Sequence, residues 1–459
     1  MGQTDTRTGV ATTHFDPPAG NVSDEDIHNY LGQSSSTAKV FANFMLGYCT
    51  TTTSTYCSNN VQTGYTAKDP NTVAAQAADL ERRHIDGAIL SWDGTGTSAD
   101  SASLLFQSWE DNHACSSQGC KLTYLIMYNT ASLNYNVKST GVPGTSGKSC
   151  SGLTGMTYEN CAVAHLRNDI CYMNSAHWGS AAYERLNGQP VLQFFLYNSV
   201  IPTTGSAPSW DDVWLRVGTW LKDLPHNCGS APYNADHGVP VMVFETASGF
   251  GEPSSSGGFY WIKPEGTSLS TDQYIYNITG TTGGTLDEFL SFALSNGGKF
   301  PFSGAFKGFN SIQANWGRGR IMDQQCGQTW VKSLNESKRY YSSGAPYVQI
   351  STWNDYNEGT EIETGIDNCY SVGASVSGST LDWRLTSSKS AASLATVSHV
   401  EIYDSPDGIN LTLLGTAPAA LNGTWSLSTL PTGKHTLYVR MVGRNSILNR
   451  ISPGVTYTN

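Results

Sequence analysis

The stretch PYVQISTWNDYNEGTEIE, residues 346–363, decides how the rest of the chain is read. The run Val348-Gln349-Ile350 leads into Trp353, and four carboxylates then fall within nine residues: Asp355, Glu358, Glu361 and Glu363. Like charges this close repel one another, and a strand has no use for them. Acids gathered at the end of a strand point to a site, so the first question is which sheet that strand completes.

Seven other apolar runs precede it: KVFANFMLGY (39–48), IDGAILSW (85–92), KLTYLIMY (121–128), PVLQFFLY (190–197), VPVMVFE (239–245), GFYWI (258–262) and a weaker FSGAFK (302–307). Most are near-continuously apolar, as parallel strands covered on both faces are. Helical segments lie between them. TVAAQAADLERRH follows Pro70, while Ser209 with Asp212 and Thr285 with Glu288 form capping-box patterns at two further starts. Helices are also expected near 98–113 and 326–342, with a longer one between 157 and 187. Eight strands with interleaved helices predict an α/β fold, a (β/α)8 TIM barrel spanning 38–370. Only twelve residues separate strands five and six, so the fifth helix is expected to be missing or vestigial. The alternative is a doubly wound open sheet, but no GxGxxG follows the first strand.

Past Cys369 the pattern changes to short alternating runs punctuated by Pro406-Asp407-Gly408 and Pro431-Thr432-Gly433. This predicts an antiparallel β-sandwich over 371–459, immunoglobulin- or fibronectin-like, with Ser/Gly-rich SVGASVSGS (371–379) as the junction. Residues 1–37 are read as an N-terminal extension.

Composition narrows the function. The chain of 459 residues carries 14% charged residues and a net charge of −11, which argues against a nucleic-acid partner. Its 23 Tyr and 12 Trp suit a neutral, polar ligand. The ten cysteines include the local neighbours 49/57, 115/120 and 150/161, without a CxxC or a His at zinc-ligand spacing, so disulfides and an oxidising compartment are expected and a metal is not. Sequons at Asn21, Asn277, Asn335, Asn410 and Asn422 are compatible with secretion. The N-terminus lacks an apolar signal region and no run reaches membrane-spanning length, so a secreted mature form with an added Met is expected, a monomer without membrane contact or cofactor.

In a barrel of this kind the active site lies at the C-terminal ends of the strands. The residues there predict a sugar site: Asn43, Trp92, Asp93, Tyr128, Tyr197, Glu245, Trp261, Trp353, Tyr356 and Glu361 as substrate-binding groups. Rings stack on apolar sugar faces, while amides and carboxylates meet hydroxyls. Tyr and Trp at strand ends also serve simply as packing, and Lys263 and Lys307 would neutralise Asp93 and Glu245. Glycoside cleavage needs one protonated and one ionised carboxyl. Asp355 at the strand end and Glu358 three residues later fit that division, with Gly359 allowing a sharp turn behind them. Glu361 and Glu363 would orient the pair or bind a hydroxyl.

TWNDYNEGTEIE resembles the strand-eight signature of the α-1,3-glucanases (mutanases) of glycoside hydrolase family 71, and is similar to that of the related family 99 endo-α-mannosidases. VFANFMLGY and IDGAILSW resemble the first two mutanase strands. The resemblance implies a barrel glycosidase with Asp355 as base and Glu358 as general acid. Asp at 355 follows the glucanases, whereas EGTEIE is closer to the mannosidase form. The glucanase pattern implies inversion of configuration, the mannosidase pattern retention through a sugar epoxide. The expected substrate is an α-linked oligo- or polysaccharide, α-1,3-glucan first, with a non-catalytic carbohydrate-binding wall protein as the rival.

Overall fold

The structure, a computed structural model, describes residues 21–32, 38–47, 65–117, 119–135, 150, 153–198, 206–222, 227–228, 231–232, 234–262, 271–276, 285–295, 298–312, 314, 319–341, 347–405 and 410–459. Cys49, Cys57 and Lys263 lie outside them.

All eight apolar runs are strands: β1 (Lys39–Met45), β2 (Gly87–Trp92), β3 (Thr123–Asn129), β4 (Gln189–Phe195), β5 (Val241–Glu245), β6 (Gly257–Phe259), β7 (Phe300–Ala305) and β8 (Tyr347–Ile350). Each pairs in parallel with the next, and β8 pairs with β1, so the sheet closes into a (β/α)8 barrel. Alternation along the strands sorts side chains onto two faces. Phe41, Ile89, Leu125, Val191, Val243, Phe259 and Phe302 fill the barrel. Their neighbours Val40, Ala42, Leu90, Ile126, Leu192 and Phe244 pack outward under the helices.

Those helices are α1 (Pro70–Arg82), α2 (Ser98–His113), α3 (Gly155–Ala176), α4 (Trp210–Lys222), α5 (Leu286–Ser295) and α6 (Gln328–Tyr341). The capping box at α5 is reciprocal: Glu288 N donates to Thr285 Oγ1 at 3.1 Å and Thr285 N to Glu288 Oε2 at 3.4 Å. At α4 only half of it forms, because Ser209 N donates to Glu159 instead. The long helix expected between 157 and 187 is α3, which ends at Ala176, and Arg185–Leu186 then form a hairpin onto the start of β4. A 3-10 turn, Ala247–Gly251, stands where the fifth helix would be.

No helix separates β8 from the second domain. The side of the barrel between α6 and α1 is instead covered by the short helix Ile27–Leu31 and by residues 443–449. Tyr30 donates to Asn335 of α6 at 2.9 Å, and Arg82 of α1 donates to the Val22 carbonyl at 3.2 Å.

The second domain is a sandwich of two antiparallel sheets. One holds β9 (Ser371–Ser377), β10 (Thr380–Thr386) and β13 (Asn422–Ser426). The other holds β11 (Val397–Asp404), β12 (Thr412–Pro418) and β14 (Lys434–Gly443), with β15 (Arg450–Ile451) and β16 (Val455–Thr458) both on β14. Leu381, Trp383 and Leu385 from the first face Val400, Ile402, Leu437 and Val439 from the second in one core. The run 371–379, expected as a junction, is therefore mostly strand. Its Val372, Ala374 and Val376 recur at period two, and that alternation outweighs the Ser/Gly content.

Disulfides join Cys115–Cys120, Cys150–Cys161, Cys171–Cys228 and Cys326–Cys369. The first two are the local pairs expected from spacing. The cluster of Cys150, Cys161 and His165 has metal-ligand proximity, but both its thiols are consumed by a disulfide. Among the described residues no helix is long and apolar enough to cross a membrane.

Candidate active site

Beyond β8 the chain forms a loop closed at its base by its own backbone. Thr352 N donates to Thr360 O at 3.1 Å, Ile362 N to Thr352 O at 3.1 Å, and Glu363 N to Trp353 O at 2.9 Å. The Thr352 and Thr360 hydroxyls meet at 2.9 Å across the same neck. Asp355 and Glu358 sit on this loop, at the C-terminal end of the barrel. The Asp355 amide donates to Thr352 Oγ1 at 2.9 Å, and its Oδ1 accepts from the amides of Asn357 and Glu358, each at 3.1 Å. This is the turn that lets Asp and Glu stand three residues apart on one small loop. Gly359 completes it at φ +60°, where an added Cβ would come within 3.0 Å of Asn310 Cβ. Asp355 is buried and Glu358 half-buried.

Asn354 ties the loop to the first strand. Its Oδ1 accepts from Met45 N at 2.7 Å and its Nδ2 donates to Met45 O at 3.1 Å, so one side chain continues the β8–β1 ladder where β8 has ended. From below, α1 holds the loop with one face: Gln76, Asp79 and Arg83, spaced three and four apart. Gln76 Nε2 donates to Glu363 Oε1 at 2.5 Å, and its Oε1 accepts from Trp353 Nε1. Tyr65 and Tyr356 donate to Glu363 Oε2 at 3.1 and 2.5 Å. Burial first, and then the charge of Glu363, push both phenols well above their usual range, which keeps them protonated donors. Glu363 is thus a tether inside the loop.

Glu361 has a different partner. Its Oε1 accepts from Lys307 Nζ at 2.7 Å in an ion pair whose side chains are both buried. Lys307 therefore neutralises Glu361, contrary to the expectation that it would serve Glu245 or Asp93. Glu361 Oε2 has no donor among the described residues.

Inside the barrel a polar layer lies among the apolar ones. Gln193 Nε2 of β4 donates to Gln349 Oε1 of β8 at 2.9 Å, and Asn43 Nδ2 of β1 to Ile350 O at 3.1 Å. Among the described residues neither Asn43 Oδ1 nor Gln193 Oε1 has a donor. Glu245 ends β5, and its Oε2 accepts from Leu196 N at 2.7 Å. Trp261, just past β6, belongs to the barrel interior with its ring 4.8 Å from Phe195. Asp93 follows β2 and accepts from Asn129 of β3 at 3.0 Å. Burial pushes the Asp93 carboxyl up, and the Asn129 bond only partly offsets this.

Of the ten substrate-binding groups expected, Asn43, Asp93, Glu245 and Trp261 fall on the inner face or at its mouth, while Glu361 lies in the loop. Four do not. Trp92, Tyr128, Tyr197 and Trp353 belong to the core between barrel and helices. Trp92 Nε1 donates to Asp100 of α2 at 3.1 Å, Tyr128 OH to Asp169 of α3 at 2.7 Å, and Tyr197 OH is bonded to Ser248 at 2.9 Å. Trp353 lies under Arg83, whose guanidinium is 4.7 Å from the ring centre. The physical reason is parity: these rings occupy the outward positions of their strands or turns, and their polar ends find helix-side partners. Tyr356 is turned down onto Glu363 and Tyr65 rather than outward.

Sequence reasoning missed Tyr65, Gln76, Asp79 and Arg83 as supports of the loop. For all but Tyr65 a signal existed, since α1 is otherwise rich in alanine and carries Gln76 and Asp79, with Arg83 at its C-cap, along the face it buries.

No protein-family model matches the chain, and no curated protein matches it. Several solved structures resemble it. A GH99 endo-alpha-mannosidase from Bacteroides thetaiotaomicron is 12% identical with a TM-score of 0.43, covering 71% of this chain and 87% of that one. A glycoside hydrolase-like protein is 14% identical with a TM-score of 0.46, covering 71% and 87%. An endo-beta-1,4-mannanase from Thermotoga petrophila is 9% identical with a TM-score of 0.33, covering 93% and 99%. These likenesses are too distant to assign an activity to this chain.

Proposed function

We propose that the protein is a secreted glycoside hydrolase that cleaves an α-linked polysaccharide, α-1,3-glucan first among candidates. Glu358 protonates the glycosidic oxygen as the bond breaks, and Asp355 activates the attacking water. The observation that carries this reading is the closed loop after β8, which carries Asp355 and Glu358 on one hydrogen-bonded turn at the C-terminal end of the barrel, where such barrels keep their active sites. Acid–base cleavage of a glycosidic bond requires two carboxyls at such a position. The four disulfides among the described residues support an oxidising compartment.

A second reading, cleavage of an α-mannoside in the manner of family 99, is favoured by the EGTEIE stretch. The test is reducing-sugar release from a panel of α-glucans and α-mannans by the wild type, Asp355→Asn and Glu358→Gln. The first substrate cleaved names the sugar, and NMR of the first-formed anomer separates inversion from retention. If no glycan in the panel is cleaved, or if either variant keeps wild-type turnover, the assignment fails.

A further inference from the structure

We propose that the sandwich turn at residues 443–449 is a positioning element for the loop bearing Asp355 and Glu358, acting through Asn445 and Arg83. The second domain would then govern turnover rather than capture sugar. This rests on the roles proposed above for the two carboxyls.

The connection can be followed atom by atom. The Arg83 side chain is fully buried, and its guanidinium is committed to the acidic loop. Nη1 donates to Ile362 O at 2.7 Å, Nη2 donates to Glu363 O, and the guanidinium lies over Trp353. It therefore grips both limbs of the neck from which Asp355 and Glu358 project. Asp79 Oδ2 accepts from Nη2 at 2.5 Å and fixes the guanidinium to α1. On its backbone side, the Arg83 carbonyl accepts from Asn445 Nδ2 at 2.8 Å. The same amide group donates to Glu25 O at 2.7 Å, and the Asn445 carbonyl accepts from Trp330 Nε1 of α6 at 2.9 Å. One sandwich residue thus joins α1, α6 and the N-terminal segment behind the loop.

The turn also touches the outgoing chain directly. Ile366 N donates to Ser446 O and Leu448 N to Ile366 O, both at 2.9 Å, three residues after Glu363. A module that only captured polysaccharide would not need this attachment. Here Asn445, Trp330, Ile366 and Ile447 are all buried where the sandwich meets the barrel. Acid and base must be held within a fraction of an ångström, so a support removed behind the loop lowers the rate more than it weakens binding.

The experiment uses the full chain with Asn445→Ala, which removes both donated bonds, beside Ser398→Ala as control. Ser398 donates to Glu25 at 2.7 Å and has no bond to Arg83, so its loss weakens the same domain contact without reaching the loop. Turnover on the cleaved glycan and amide hydrogen exchange over residues 352–366 are measured for both. Asn445→Ala is expected to lower kcat roughly tenfold with KM within about twofold, and to speed exchange in the loop, while Ser398→Ala does neither. Should Asn445→Ala fail to fold, the isosteric Asn445→Asp, which also lacks the donor, replaces it. A fall in kcat of less than about threefold, or unchanged loop exchange, would overturn the proposal. If Asp355→Asn proves fully active, the functional reading has failed instead, and loop exchange still decides whether Asn445 holds the loop.

Discussion

The amide of Glu358 donates to Asp355 Oδ1 at 3.1 Å, so the backbone that carries one carboxyl is fixed by the other. Asp355 therefore has a structural job beside the chemical one proposed for it, and substitutions separate the two. Asn retains an oxygen to accept from the amides of 357 and 358, whereas Ala leaves both amides without it. Asp355→Asn and Asp355→Ala should both lose about 10²- to 10⁴-fold in turnover. Only Asp355→Ala should also lose about 1–2 kcal/mol of stability. Initial rates together with urea unfolding check this, and equal stability losses for the two variants would mean that the turn does not depend on the Asp355 oxygen.

The Lys307–Glu361 pair gives a second expectation. Both side chains are buried, so removing one partner strands a charge away from water. Lys307→Met should cost about 3–5 kcal/mol, and the double variant Lys307→Met/Glu361→Gln should recover most of it. Chemical unfolding of the two variants and the wild type measures the difference. A single variant as stable as wild type would show that solvent reaches Glu361 and screens it.

The barrel was legible because its strands are covered on both faces and so appear as apolar runs between capped helices. Even the weak seventh run is a strand, since Phe302 packs inward on Tyr347 and Ala305 outward. The candidate site was legible along the chain only as a local turn, built by Asp355, Glu358 and Gly359. It was not legible across the barrel. Whether Trp92 faces the barrel interior or a helix depends on one residue of register, which no run of letters near a strand end fixes. The support from Asn445 to Arg83 spans 362 residues of chain, and no local pattern announces it.

Glu252 supplies a pH dependence. Burial, and then the charge of Asp211, push its carboxyl up to about 7 against the pull of Lys299. Its Oε2 has no donor among the described residues. The folded value is raised, so below the ordinary value of 4.5 both states hold the proton and nothing is lost. Between 4.5 and about 7 the unfolded chain gives up a proton that the folded protein keeps, and stability falls as pH rises. Above that range both states are ionised and the dependence ends. Glu252→Gln should therefore melt higher than wild type by a margin that grows from pH 4.5 to about 7 and then stays level. Melting curves across this range test it, and a margin independent of pH would mean that Glu252 ionises normally in the folded state.

The Cys326–Cys369 bond closes 43 residues of chain that include all of α6, β8 and the acidic loop. Cross-linking a loop of this size removes conformations from the unfolded chain, a stabilisation of about 4 kcal/mol if the folded geometry is unstrained. Cys369 lies just before β9, so the bond also anchors the start of the sandwich to the N-terminal end of α6. Cys326→Ser/Cys369→Ser should accordingly lower the free energy of unfolding by about 3–4 kcal/mol. Cys115→Ser/Cys120→Ser, closing a separation of only 5, should cost less. Both variants retain Asn445, Arg83 and the loop neck, so turnover under stabilising conditions should stay near wild type. A Cys326→Ser/Cys369→Ser variant that is stable yet inactive would assign the loop's geometry to the disulfide instead of to Arg83.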